Sequence, residues 1–182
     1  MAKKKTTKKK TTGRRPLPPI KNFINRAVKL GAKSAKVVKA SSVKTAAWVR
    51  LKCQYGCDGY GSSLCCPPHT PIPEEMRKVI DCYKNAILFE SVYGKTKEIA
   101  AKLEREIFLA GYYKAFGLGA GPCRLCDECD FENGCIHSED ARPSMEACGI
   151  DVYETARGNG YEIEVVRNRK DKQHYYGVIL VN

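Results

Sequence analysis

Cys123, Cys126, Cys129 and Cys135 fall at intervals of three, three and six in the stretch GPCRLCDECDFENGC. A looping backbone with that spacing can present three thiolates to one small inorganic object, and a fourth after a short excursion through Gly134. The first three cysteines match the bacterial ferredoxin run, in which evenly spaced thiolates bind separate irons of a cubane. In that run the fourth cysteine follows after three residues and carries a proline. Here it follows after five and precedes Ile136. Four thiolates also make a closed tetrahedral zinc site, although zinc more often takes two separated pairs. The spacing therefore points to an iron–sulfur cluster, with zinc as the alternative.

A second group lies in CQYGCDGYGSSLCCPP, where Cys53 and Cys57 are followed by the adjacent Cys65 and Cys66. Adjacent side chains tend to point apart, so one of the pair is expected to ligate with Cys53 and Cys57. Cys66 is the better choice, because Pro67 and Pro68 stiffen the chain directly behind it. Two fully thiolate-bound 4Fe-4S cubanes would need eight cysteines, and this count leaves the first site one ligand short. Cys148, Cys65, His69 or a small molecule could fill the place, or an iron could stay open as a Lewis acid. Cys82, inside VIDCYKN, reads as a small buried hydrophobe. Arg142 and Glu146 read either as partners supporting a site or as an exposed ion pair. His137 and His174 are lone histidines and are assigned no ligand role.

Ten cysteines in 182 residues are too few for a small secreted disulfide scaffold. No apolar segment follows the basic N-terminus as in a secretory signal, and no apolar run reaches membrane-spanning length. These features predict a cytoplasmic protein without membrane contact, in whose reducing surroundings clustered thiols serve metals or redox chemistry. The net charge of +12 is uneven: eight of 32 basic residues lie in the first fifteen positions, and the remainder carries +4. Residues 1–17 thus read as a disordered basic tail, capable of non-specific nucleic-acid contact, ahead of one metal-binding domain over residues 18–182.

The elements that must hold these thiols are partly legible. A helix is expected from Lys21 to Leu30, stopped by Gly31, and a short strand from Ala35 to Ala40. Thr45 to Lys52 fits a strand or a helix equally. Residues 54–73 read as an ordered loop, and Pro73 with Glu74 and Glu75 as the start of a helix. AILFESVY reads as a buried strand, KEIAAKLEREIFLAG as an amphipathic helix and YYKAFGLG as a strand. Ile99, Leu103 and Ile107 form the helix's apolar stripe, and Lys97, Lys102, Glu104 and Arg105 are expected to face water. This run predicts a crossover with a parallel strand pair. Ile163 and Val165 alternating with Glu162 and Glu164, then YYGVILV, predict a C-terminal hairpin. The fold class is α/β or α+β, a mixed sheet with helices packed on it. Gly94, Lys95 and Thr96 resemble the end of a phosphate-binding loop, but Phe89 replaces its leading glycine, so they read as a turn and helix cap. Further on, in RPSMEACGIDVYETARGNG, Pro143 fits a helix start, Gly149 a stop, and Asp151 with Glu154 a capping box for a helix ended by Gly158.

In their order, KCQYGCDGYGSSLCCPPHTPIPEEM, GPCRLCDECDFENGC and RPSMEACGIDVYETARGNGY resemble the "predicted metal-binding protein" family, a domain of unknown function found mainly in anaerobic bacteria and archaea. The resemblance covers roughly residues 20–182 and implies metal binding, as iron–sulfur clusters, at Cys53, Cys57, Cys66, Cys123, Cys126, Cys129 and Cys135. It implies no particular reaction, and no residue in the sequence stands out as a general base. The expected role is one-electron transfer to a redox partner protein or small molecule. An enzyme using an open-site cluster on a small substrate, and a structural zinc protein with a nucleic-acid-contacting tail, are the alternatives.

Overall fold

Alternate residues of AILFES point to opposite sides of a strand, and here both sides are apolar, so this segment demands cover on each face. The computed structural model describes residues 16–182, and the basic tail at 1–15 lies outside the described residues. It supplies that cover with helices on both faces of a four-stranded sheet. The helices are α1 (Asn22–Lys29), α2 (Trp48–Gly56), α3 (Pro73–Asp81), α4 (Thr96–Leu109) and α5 (Val152–Gly158). The strands are β1 (Ser34–Lys39), β2 (Asn85–Ser91), β3 (Phe116–Leu118) and β4 (Tyr175–Leu180). Ile87 and Phe89 of β2 pack with Ile179 against Phe23 and Ala27 of α1 and Ile99, Leu103 and Ile107 of α4. Ala86 and Leu88 turn the other way, joining Val178 and Leu180 against Met76 and Ile80 of α3 and Met145 and Ile150. No helix among the described residues is long and apolar enough to cross a membrane.

The fold is α+β, with strand order β1-β2-β4-β3 and every neighbouring pair antiparallel. The parallel pair expected from the β2-α4-β3 run does not form, because β4 inserts between those two strands. Burial accounts for the order. β4 is buried at all but its first position and takes ladder partners on both sides, whereas β3 has three residues and an exposed end that suit a short edge. The expected hairpin is also absent, since β4 pairs with β2 and β3 rather than with residues 162–166. That stretch alternates for another reason: Tyr161 and Ile163 enter the core while Val165 and Val166 stay exposed. The Arg157 guanidinium donates to the Ile163 carbonyl at 2.9 and 3.1 Å, and the Tyr176 hydroxyl to that of Glu162 at 2.9 Å.

The ambiguous stretch Thr45 to Lys52 is helical from Trp48, after Thr45 bridges to Ile150, and α2 runs on to Gly56, so the long loop begins at Cys57. Pro73 opens α3, and the Asp151 carboxylate accepts the Glu154 amide at 2.9 Å at the start of α5. Gly94 makes a turn with positive φ, but Thr96 caps nothing in α4. Its hydroxyl instead accepts the Ala120 amide at 2.9 Å, tying the helix to the loop that carries the second thiol group.

Candidate metal centre

The second thiol group rides on a long excursion between Gly119 and Ser144 whose two ends meet. Gly119 bridges to Ser144, its amide donates to the Pro143 carbonyl at 3.0 Å, and its carbonyl accepts the Met145 amide at 2.9 Å. A side chain at Gly119 would meet the Lys97 backbone at 2.9 Å, so the glycine lets α4 press directly onto the stem. The stem is clamped by a bidentate pair, Arg142 Nε to Glu104 at 2.6 Å and a second guanidinium nitrogen at 2.9 Å. Glu104 therefore does not face water as helical periodicity predicts. Nor does Arg142 pair with Glu146.

The first group is assembled from three chain segments. Cys53 is on α2, Cys57 just beyond its end, and Cys66 at the far side of the loop. The turn at residues 146–148 packs beside α2, where the Cys53 thiol donates to the Glu146 carbonyl at 3.7 Å. Arg50 staples this arrangement, donating to the carbonyls of Ala147 at 2.6 Å and Pro71 at 3.3 Å and to the Thr70 hydroxyl at 3.1 Å. Gly149 ends the turn at φ +72°, where a side chain would collide with the Pro73 ring.

The two groups face two cavities. Cys53, Cys57 and Cys66 line one of about 240 Å³, together with Glu146. Cys123, Cys126, Cys129 and Cys135 line another of about 120 Å³, and Cys65 joins them. The adjacent pair Cys65 and Cys66 is thus divided between the two. All ten cysteines are free thiols. Among the described residues, no three His, Cys, Asp or Glu side chains are gathered tightly enough to hold a metal ion. The thiols share cavity walls instead of converging on one point. A tetrahedral zinc ion, with sulfur at about 2.3 Å, requires such convergence.

The remaining sequence candidates lie elsewhere. Cys148 is buried in the core beside Met145 and Ile150, 1% exposed, and lines neither cavity. His69 packs on Phe131 with ring centroids 5.0 Å apart. Cys82 is exposed, its thiol donating to the Lys78 carbonyl at 3.4 Å, so it is not the buried hydrophobe its helical context suggests.

Burial dominates the electrostatics. It pushes the Cys65 thiol up to about 12, reinforced by Cys123, and the Cys148 thiol also to about 12. Burial raises Cys53, with Glu146 and Cys57 adding repulsion, and it raises Cys126, with Cys123 and Cys129 adding to it. These thiols are neutral in the metal-free protein and would release protons to any cation they bind. Three polar atoms buried here have no hydrogen-bond partner: Ser63 Oγ, Lys97 Nζ and Glu146 Oε2. Burial lowers the Lys97 ammonium, opposed by Cys65, Cys123, Cys66 and Glu146, and raises the Glu146 carboxyl, opposed chiefly by backbone and Ser144 hydrogen bonds. Periodicity assigned Lys97 to solvent, and only the packing of the thiol loop over α4 reveals its burial. Orphaned buried polar atoms are costly and in native proteins call for a partner, which a charged inorganic group would supply. The donor set, soft thiolates in two walled cavities, fits an iron–sulfur group.

Comparison with known proteins yields one family: the model described as "Predicted metal-binding protein (DUF2284)" matches residues 36–181. No curated protein and no solved structure matches the chain.

Proposed function

The chain belongs to this family of predicted metal-binding proteins, and we propose on that footing that it is an iron–sulfur protein acting in one-electron transfer. Cys123, Cys126, Cys129 and Cys135 would hold one cluster and Cys53, Cys57 and Cys66 a second. The observation that carries this reading is the division of the thiols between two cavities, with Cys66 on one and Cys65 on the other. A single structural zinc needs four donors within reach of one ion, whereas thiols spread around cavity walls suit a larger inorganic body. When bound, such clusters supply reversible one-electron chemistry. The chain's own residues set the conditions for it. Cys65 and Cys66 are buried while the other cavity thiols stay partly open to solvent, Lys97 places a cation beside Cys65, Cys66 and Cys123, and the Arg142–Glu104 clamp holds the loop in register.

Protein purified under exclusion of oxygen should contain iron and acid-labile sulfide, be brown, and bleach on reduction. Colourless protein that holds only zinc refutes the proposal.

A further inference from the structure

We infer that Glu146 supplies the fourth protein donor to the site of Cys53, Cys57 and Cys66. The inference rests on the iron–sulfur reading above and names the ligand that counting cysteines leaves missing. Among the described residues, the walls of the 240 Å³ cavity hold, apart from its three thiols, one carboxylate and no histidine. That carboxylate is Glu146, whose Oε2 is sealed from solvent with no hydrogen-bond partner. Backbone and Ser144 hydrogen bonds compensate the carboxylate only in part, and a bound cation would supply the partner that Oε2 lacks.

The sequence's other candidates are excluded by position. Cys65 belongs to the neighbouring cavity, Cys148 lies in the core, and His69 packs on Phe131 and lines neither cavity. Geometry also favours Glu146 from the backbone side. The turn that carries it is fixed at its middle by Arg50 holding the Ala147 carbonyl and at its C-terminal end by Gly149 packed on Pro73, and the Cys53 thiol already reaches the Glu146 carbonyl. A carboxylate is a harder donor than a thiolate, so three thiolates and one carboxylate would leave one iron chemically distinct from its three neighbours. With four protein donors in place, no iron is left open, which argues for electron transfer over Lewis-acid catalysis at this site.

The test uses the full chain, reconstituted with ferrous iron and sulfide under exclusion of oxygen. Wild-type protein that takes up neither overturns both the iron–sulfur reading and this inference. In loaded protein, Glu146→Gln keeps the side chain's volume and removes its charge. We expect it to lose about one iron atom per chain and to show the paramagnetic signal of an oxidised three-iron cluster. Glu146→Cys should recover that iron, with the Mössbauer parameters of one site moved to those of thiolate ligation. Unchanged iron content and spectra in Glu146→Gln, with or without loss of one iron in Cys148→Ser, overturn the inference and leave the iron–sulfur reading standing. Should Glu146→Gln fail to fold, Glu146→Cys decides alone: a single altered iron supports the assignment, and a wild-type spectrum overturns it.

Discussion

Glu104 and Arg142 hold the second thiol loop to α4, and removing either should loosen it by an amount that follows from their contacts. The side chains are 14% and 13% exposed, and they meet through bonds of 2.6 and 2.9 Å. Glu104 also accepts the Gly117 amide at 2.7 Å, on the edge strand that leads into the loop. Glu104→Ala thus strands a nearly buried guanidinium and a backbone amide together. Breaking a buried pair from one side costs about 3–5 kcal/mol. Arg142 keeps the carbonyls of Ala141 at 2.7 Å and Ser138 at 3.1 Å, which places the expected loss near the lower bound, about 3 kcal/mol. With a urea dependence of about 2 kcal/mol per molar, the unfolding midpoint should fall by about 1.5 M. Replacing both partners by apolar residues of similar size, Glu104→Leu with Arg142→Met, removes the stranded charge and should be much closer to wild type than the sum of the single losses, a coupling of about 2 kcal/mol or more. Urea unfolding of wild type, Glu104→Leu, Arg142→Met and the double variant, followed by circular dichroism, measures it, with Glu104→Ala beside them. Strict additivity, or a loss below about 1 kcal/mol in Glu104→Ala, would refute the reasoning, because the clamp would then be a solvated surface pair.

The remaining predictions concern the thiols and the cation between them. Cys66→Ser should empty the first site and leave the second loaded, whereas Cys65→Ser should keep the full iron complement, because its cavity holds four further thiols; iron analysis beside absorption spectra separates the two, and loss of the first cluster in Cys65→Ser would count against the division. Lys97→Met should have opposite consequences in the two states of the protein. It should stabilise the metal-free chain by about 1–2 kcal/mol in urea, since an unpartnered buried polar group disappears. In loaded protein it should shift the reduction potential negative, since a cation beside the thiolates no longer favours the more negative reduced state. A protein unchanged in both measurements would show that Lys97 is solvated.

Local chemistry was legible in the sequence because it acts over a few residues. The intervals between Cys123 and Cys135 put four thiols on one loop whatever the fold. A spacing of four brings Ile99, Leu103 and Ile107 to one buried face of α4, and Pro73 and Asp151 open helices where their own backbone requirements suit an N-terminus. Even the separation of Cys65 from Cys66 follows a local rule, that neighbouring side chains diverge. Periodicity misled at Lys97 and Glu104, because a helix facing away from the sheet is not thereby facing water when a loop folds over it. It misled also at residues 162–166, where alternation marks a stretch lying along the core without a ladder partner.

By itself, then, the sequence determined how many soft donors there are and which of them must travel together, since covalent spacing limits their separation. Tertiary structure alone decided which groups meet across long chain separations. It put β4 between β2 and β3, gave Cys66 to one cavity and Cys65 to the other, and brought Glu146 to Cys53 from 93 residues away. Those choices depend on which arrangement buries the apolar faces of all the elements at once. No window of sequence carries that information, because the energy involved belongs to contacts between windows.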